Sequence, residues 1–195
     1  MIKQQGYLKF LLMGVLVINT AELGVKKILI SEEDLHKKIH EFGEMLSREY
    51  AGKNLLLVSV LKGAFVFMAD IMRELTIPCE IDFMCVSSYQ NSTTSSGTVK
   101  ITKDLNVDIR EYDVLVVEDI LDSGLTLNSV IKLLKHRNPK SLKVCTLLDK
   151  PARRKVEVKA DYTCFEIPDE FVIGYGLDCA EKYRNLPYIG VYDTE

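Results

Sequence analysis

The chain has 195 residues, 47% of them hydrophobic and 27% charged, with a formal charge of −3. This is the profile of one globular domain long enough to bury a core, and the acidic balance excludes a broad nucleic-acid-binding surface. The five cysteines (79, 85, 145, 164 and 179) form no C-x-x-C pair and sit mostly in apolar runs, which predicts buried free thiols in a reducing cytosol, not disulfides or a zinc site.

Lys3 and Lys9 precede an apolar stretch from Phe10 to Ile18 that is too short to span a bilayer. No A-x-A-like cleavage site follows it. Residues 1–22 are therefore read as an N-terminal extension, and 23–195 as a single domain. Ser31 with Asp34 three later predicts a variant capping box, and Leu35, Ile39, Phe42 and Leu46 continue a helical stripe to about Tyr50. His36 and His40 stand four apart on that helix. Without a third ligand they read as solvent-facing residues and not as a metal grip.

Residues 54–61 (NLLLVSVL) predict a buried strand, Lys62-Gly63 a tight connection, and Ala64 to Leu75 the next helix. Ile81, Phe83 and Cys85 alternate in a strand that ends near Ser87. Residues 90–97 (QNSTTSSG) hold only small or polar side chains, and Thr98 to Thr102 returns as a strand, so the segment between is the tip of a hairpin or longer flap. A strand over 113–118, a helix over 126–136 and a strand over 143–148 follow. Short strands lie around Pro168 within 162–174, and a last one within 185–192. Strands alternating with helices predict an α/β fold with a mainly parallel sheet.

The chemistry concentrates in one stretch. The apolar run Val114 to Val117 ends in adjacent carboxylates, Glu118 and Asp119. Asp122 then opens the loop Ser123-Gly124-Leu125-Thr126, which leads into a helical pattern. Carboxylates accept hydrogen bonds from vicinal hydroxyls, while loop amides and a helix start favour an anion. The pattern therefore suits a sugar joined to a phosphate, at the sheet edge where open α/β folds bind ligands. G-x-G-x-x-G and Walker A sequences are absent, so a generic dinucleotide or P-loop site is not indicated.

Residues 114–127 resemble, over their whole length, the phosphoribosyl-diphosphate signature of the type I phosphoribosyltransferases. Four further segments, in the same order, resemble the hypoxanthine-guanine branch, its bacterial members most. They are Leu61 to Phe65, Ser87-Ser88-Tyr89 with Ser95-Ser96-Gly97, Leu147 to Arg154, and Phe165 to Asp178 continuing to Arg184. The resemblance runs from about Lys26 to the C-terminus.

The resemblance implies a type I phosphoribosyltransferase fold: a central sheet flanked by helices, a small hood subdomain and a mobile flap. It assigns the ribose hydroxyls to Glu118 and Asp119, and the 5′-phosphate to Ser123, Gly124, Leu125 and Thr126. Diphosphate contacts fall to Lys62, Gly63 and Arg184, and flap closure to Ser88 and Tyr89, where Gln90 departs from the family's usual glycine. Purine contacts fall to Lys150, Phe171 and Val172. Asp178 is implied as the Mg²⁺ ligand, with Glu118 and Asp119 acting through water, and Asp122 as the general base. The implied activity is transfer of a phosphoribosyl group from phosphoribosyl diphosphate to N9 of hypoxanthine or guanine by a cytoplasmic homodimer or homotetramer, with no nucleic-acid or membrane partner. Lys150, a donor only, argues against adenine. The set of Asp122, Lys150, Asp178 and Arg184 argues for catalysis over a module that merely senses phosphoribosyl diphosphate.

Overall fold

The computed structural model describes residues 24–88 and 99–193, which form nine strands and three α-helices. In chain order these are β1 (Val25–Ile30), α1 (Glu32–Glu49), β2 (Leu55–Leu61), α2 (Phe65–Glu74), β3 (Glu80–Ser88), β4 (Val99–Lys103), β5 (Asp113–Leu121), α3 (Leu125–His136), β6 (Ser141–Asp149), β7 (Tyr162–Glu166), β8 (Val172–Ile173) and β9 (Ile189–Tyr192). The N-terminal extension, Tyr89 and the flap tip lie outside the described residues.

Helix α1 starts where its cap predicts. The Asp34 N–H donates to Ser31 Oγ at 3.1 Å, and Glu32, Glu33 and Asp34 place negative charge on the first turn. The Asp34 carboxylate accepts from the Ser31 hydroxyl at 2.6 Å. Its side chain is one methylene shorter than the glutamate of a full capping box. Leu35, Ile39 and Leu46 are buried, with Phe42 packed at the margin of the same cluster. Gly43 marks the crossing with α2, because a β-carbon there would overlap Glu74. His36 and His40 face solvent as expected, and His40 Nδ1 lies 2.7 Å from Glu74 Oε2.

The main sheet has six strands in the order β4-β3-β2-β5-β6-β7, all parallel except β4, which pairs antiparallel with β3. Its central strands are covered on both faces. Leu57, Leu115 and Val117 share a core with α1 and α2, while Leu56, Val58, Val114 and Val116 share another with Val130 and Leu134 of α3. Two-sided burial explains why these strands read as unbroken apolar runs. A second, three-stranded antiparallel sheet, β1-β9-β8, stands beside the first.

Several boundaries move. β5 runs past residue 118 to Leu121, so Glu118 and Asp119 lie within a strand and not just beyond one. The cause is β6, which pairs alongside as far as Leu121 with Asp149. α3 begins at Leu125, one residue early. β1 had no sequence signal: Lys26 and Lys27 hide its alternation, and its pairing with β9 creates it. Of the cysteines only Cys145 and Cys164 are buried; Cys79, Cys85 and Cys179 are partly exposed, and all five are free. No helix among the described residues is long and apolar enough to cross a membrane.

After β2 the chain runs outward through β3 and β4, then returns to β5 on the other side of β2 and continues to β6 and β7. Strand order therefore reverses between β2 and β5. The carboxyl ends of those two strands flank the crevice where such sheets take ligands.

Candidate functional site

Lys62 and Gly63 form the turn that carries β2 into α2, and the Leu61–Lys62 peptide is cis. Gly63 faces the end of β5 so closely that a β-carbon on it would overlap Asp119 Oδ2. Gly176 presses on the same turn from the other side, where a β-carbon would overlap the Gly63 carbonyl oxygen. Its φ of 98° is a second reason for glycine. Three segments distant in sequence thus meet without intervening side chains.

The carboxylates at the end of β5 lack full compensation. Burial raises Asp119 to about 6; the Ile120 N–H and the Arg184 guanidinium oppose this, and Asp178 adds to it. Burial, with Asp119 beside it, also raises Glu118 well above the usual carboxylate range. Glu118 Oε2 and Asp122 Oδ1 are buried without a hydrogen-bond partner. Buried polar atoms cost free energy when unpaired, so such a cluster is configured for a ligand and not for stability.

The loop from Gly174 to Leu186 brings Asp178, Glu181 and Arg184 over the β2–α2 turn. The Gly176 N–H donates to the Arg184 carbonyl at 2.9 Å, and Arg184 Nη1 to the Gly176 carbonyl at 2.8 Å. Arg184 Nη2 lies 2.8 Å from Asp178 Oδ1, its Nε is buried without a partner, and its side chain is 19% exposed. Lys62 pairs at 2.8 Å with Glu181, and both are largely exposed. Tyr175 anchors the loop through a hydrogen bond to Asp70 on α2.

On the other flank, Lys150 follows β6. It is 5% exposed, and its Nζ donates to the Glu170 carbonyl at 2.8 Å. That contact sets the ammonium at the residue next in sequence to Phe171; Phe171 is 47% exposed, and its ring meets Tyr192 edge-on at 6.1 Å between centroids. Val172 is buried in β8. An open aromatic face beside a buried donor suits a flat heterocycle with a carbonyl.

Ser123, Gly124, Leu125 and Thr126 lead into α3, with Gly124 at φ 79° as its N-cap. The amino end of this helix offers N–H groups and a positive dipole to an anion. Ser88 ends β3 at the base of the hairpin, and Tyr89 falls outside the described residues.

The site residues anticipated from the sequence therefore gather at one sheet edge, the flap tip excepted. Sequence reading gave no role to Gly176, Glu181 or Arg154. The glycine's signal was a G-Y-G triplet. No three Asp, Glu, His or Cys side chains among the described residues converge into a metal cage. The adjacent carboxylates Glu118 and Asp119, with Asp178 beside them, nevertheless fit a hard divalent cation that draws its other ligands from a substrate.

The phosphoribosyl transferase domain model matches residues 29–180. A bifunctional protein TilS/HprT of Listeria monocytogenes is 57% identical over 171 residues, which are 88% of this chain but 26% of that protein. The chain thus spans about a quarter of the length of such relatives. The hypoxanthine-guanine phosphoribosyltransferase of Bacillus subtilis is 55% identical over 86% of this chain and 93% of its own. A crystal structure of a Staphylococcus aureus hypoxanthine phosphoribosyltransferase superimposes with a TM-score of 0.86 at 47% identity, covering 90% of this chain and 96% of that one.

Proposed function

The chain belongs to the phosphoribosyltransferase family, and on that premise we propose that it is a hypoxanthine-guanine phosphoribosyltransferase of purine salvage. It transfers the 5-phosphoribosyl group of phosphoribosyl diphosphate to N9 of hypoxanthine or guanine, forming the nucleotide and releasing diphosphate. The observation that carries this reading is the convergence of Gly63, Asp178 and Arg184 on Asp119 at the β2/β5 switch point.

The residues divide the work by chemistry. Glu118 and Asp119 accept hydrogen bonds from the ribose hydroxyls. The amides of residues 123–126 hold the 5′-phosphate. Lys62, the Gly63 backbone and Arg184 receive the diphosphate; a diphosphate entering between them competes with Glu181 and Asp178 for the two cations. Phe171 stacks on the base, the Val172 backbone meets its edge, and Lys150 donates to its exocyclic oxygen. These contacts fix N9 against C1′, and positioning of this kind carries much of the rate.

As the C1′–diphosphate bond breaks, positive charge grows on the ribose and negative charge on the leaving group. Arg184 and Lys62 stabilise the latter. The purine loses a proton as N9 attacks, and the partnerless Asp122 Oδ1 is the acceptor, near N7 of the base. Asp178, with Glu118 and Asp119 through water, would hold Mg²⁺; bound there, it neutralises diphosphate charge. Ser88 and Tyr89 belong to a flap that closes over the site and excludes water.

The enzyme works in the cytoplasm as a homodimer or homotetramer, without nucleic-acid or membrane partners. Phe65 and Met72, seven apart on α2 and both exposed, give the protomer an apolar helix face suited to a second copy. The direct test is conversion of hypoxanthine and phosphoribosyl diphosphate into IMP with and without Mg²⁺. Nucleotide only when the metal is present supports the reading, and metal-independent turnover contradicts the assigned ligands.

A further inference from the structure

Three consecutive carbonyls precede α3, those of Leu121, Asp122 and Ser123, and all three are gripped from behind by one short segment. The Lys150 N–H and Arg154 Nη1 both donate to the Leu121 carbonyl at 3.0 Å. The same Nη1 donates to the Asp122 carbonyl at 2.6 Å, and the Lys155 N–H to the Ser123 carbonyl at 3.0 Å. Arg154 Nη2 is tied to Asp149 at the end of β6, and its side chain is only 19% exposed. Gly124 lies flat against this segment, since a β-carbon on it would come within 3.3 Å of Arg154 Cδ and closer still to Val158.

A trans peptide points its C=O and the following N–H in opposite directions. Carbonyls 121, 122 and 123 all face the 150–155 segment, so the N–H groups of Asp122, Ser123 and Gly124 all face away from it. None of those three N–H groups donates to a backbone carbonyl among the described residues. Successive N–H groups aimed one way form a concave anion cradle. A loop left to itself would spend these donors on water or on its own carbonyls.

We propose that Arg154 is a positioning residue for the 5′-phosphate: its guanidinium holds the Leu121 and Asp122 carbonyls, which aims the Ser123 amide, and the loop that follows it, at the phosphate. Arg154 does not touch the substrate. Its guanidinium is spent on two carbonyls and one carboxylate, a planar fork that lysine cannot reproduce. The same grip sets the backbone of Asp122, so phosphate binding and the proton acceptor share one support. The Lys150 N–H belongs to the bracket too, which ties the base-facing ammonium to the phosphate loop.

The inference rests on the function proposed above, and the two fail in different ways. Absence of IMP synthesis by the unmodified protein overturns the function. The positioning role is read from Arg154→Lys and Arg154→Gln by calorimetric affinities for IMP and for inosine, which differ only in the 5′-phosphate. IMP affinity falls about tenfold or more in both variants, while inosine affinity stays within about twofold of the unmodified protein. Guanidinium ion added to Arg154→Gln restores part of the IMP affinity. Equal losses for IMP and inosine, or unchanged IMP affinity, overturn the proposal.

Discussion

The carboxylate of Asp119 occupies the place that a side chain on Gly63 would need: a β-carbon there would overlap Asp119 Oδ2. The β2–α2 turn and the acidic end of β5 are therefore in backbone-to-side-chain contact. Any larger residue at 63 must push Asp119 aside or shift the turn. Gly63→Ala is expected to keep the fold, because the turn is at the sheet edge, but to lower kcat/KM roughly 100-fold, the cost of about 1 Å of misplacement. Unchanged circular dichroism with that loss supports the contact; near-normal turnover contradicts it.

Asp122→Asn tests the proton acceptor. The variant keeps the shape of a side chain whose Oδ1 is buried and partnerless, but cannot take a proton at neutral pH. Turnover should fall by roughly 10²–10⁴-fold, with affinity for phosphoribosyl diphosphate largely intact. Equal turnover would remove Asp122 from the role.

Lys150 is a buried ammonium with one backbone partner, the Glu170 carbonyl. Lys150→Ala should lower kcat/KM for hypoxanthine by roughly 10–150-fold, the worth of one hydrogen bond to a charged group. The hypoxanthine-to-adenine preference should shrink by a similar factor. A parallel loss for both bases would show that Lys150 supports the fold and does not select the base.

Glu118 illustrates binding purchased with stability. Burial and Asp119 both raise its carboxyl, and Oε2 has no partner. Glu118→Gln removes an ionisable carboxyl that burial disfavours, so thermal denaturation at neutral pH without ligands should show a higher midpoint. Affinity for phosphoribosyl diphosphate should fall in the same variant. Loss of both stability and affinity would contradict a strained carboxylate.

His40 supplies a pH signature remote from the site. Its hydrogen bond to Glu74, with the charge of that carboxylate, raises it above its ordinary 6.5. A raised histidine binds its proton more tightly in the folded chain than in the unfolded one. Its contribution is therefore complete below 6.5 and disappears as pH rises through the folded value. The His40 ring should titrate above 6.5 by NMR, and Glu74→Gln should bring the midpoint back towards it. An unmoved midpoint would exclude Glu74 as the cause.

Much of this architecture was legible because local signals and burial agree. Val114 to Val117 reads as a two-face-buried strand and is one, and the Ser31 cap starts α1 where expected. The end of β5 was misjudged because carboxylates usually stop strands, whereas pairing with β6 carries the backbone on to Leu121. β1 was invisible because its partner, β9, is more than 150 residues away. The anticipated site residues came mostly from the resemblance of five segments, and most were found at one sheet edge. Arg154 and Gly176 were missed because neither offers a reacting group. Their importance lies in the carbonyls they meet, and a backbone contact leaves no mark on residue type.

The most direct measurement is nucleotide formation from phosphoribosyl diphosphate and Mg²⁺ with hypoxanthine, guanine, xanthine and adenine in parallel. Nucleotide from hypoxanthine or guanine, with adenine inert, is the expected result and follows from Lys150 beside Phe171. Adenine as the preferred base, or no nucleotide from any base in protein that still binds phosphoribosyl diphosphate, would contradict it.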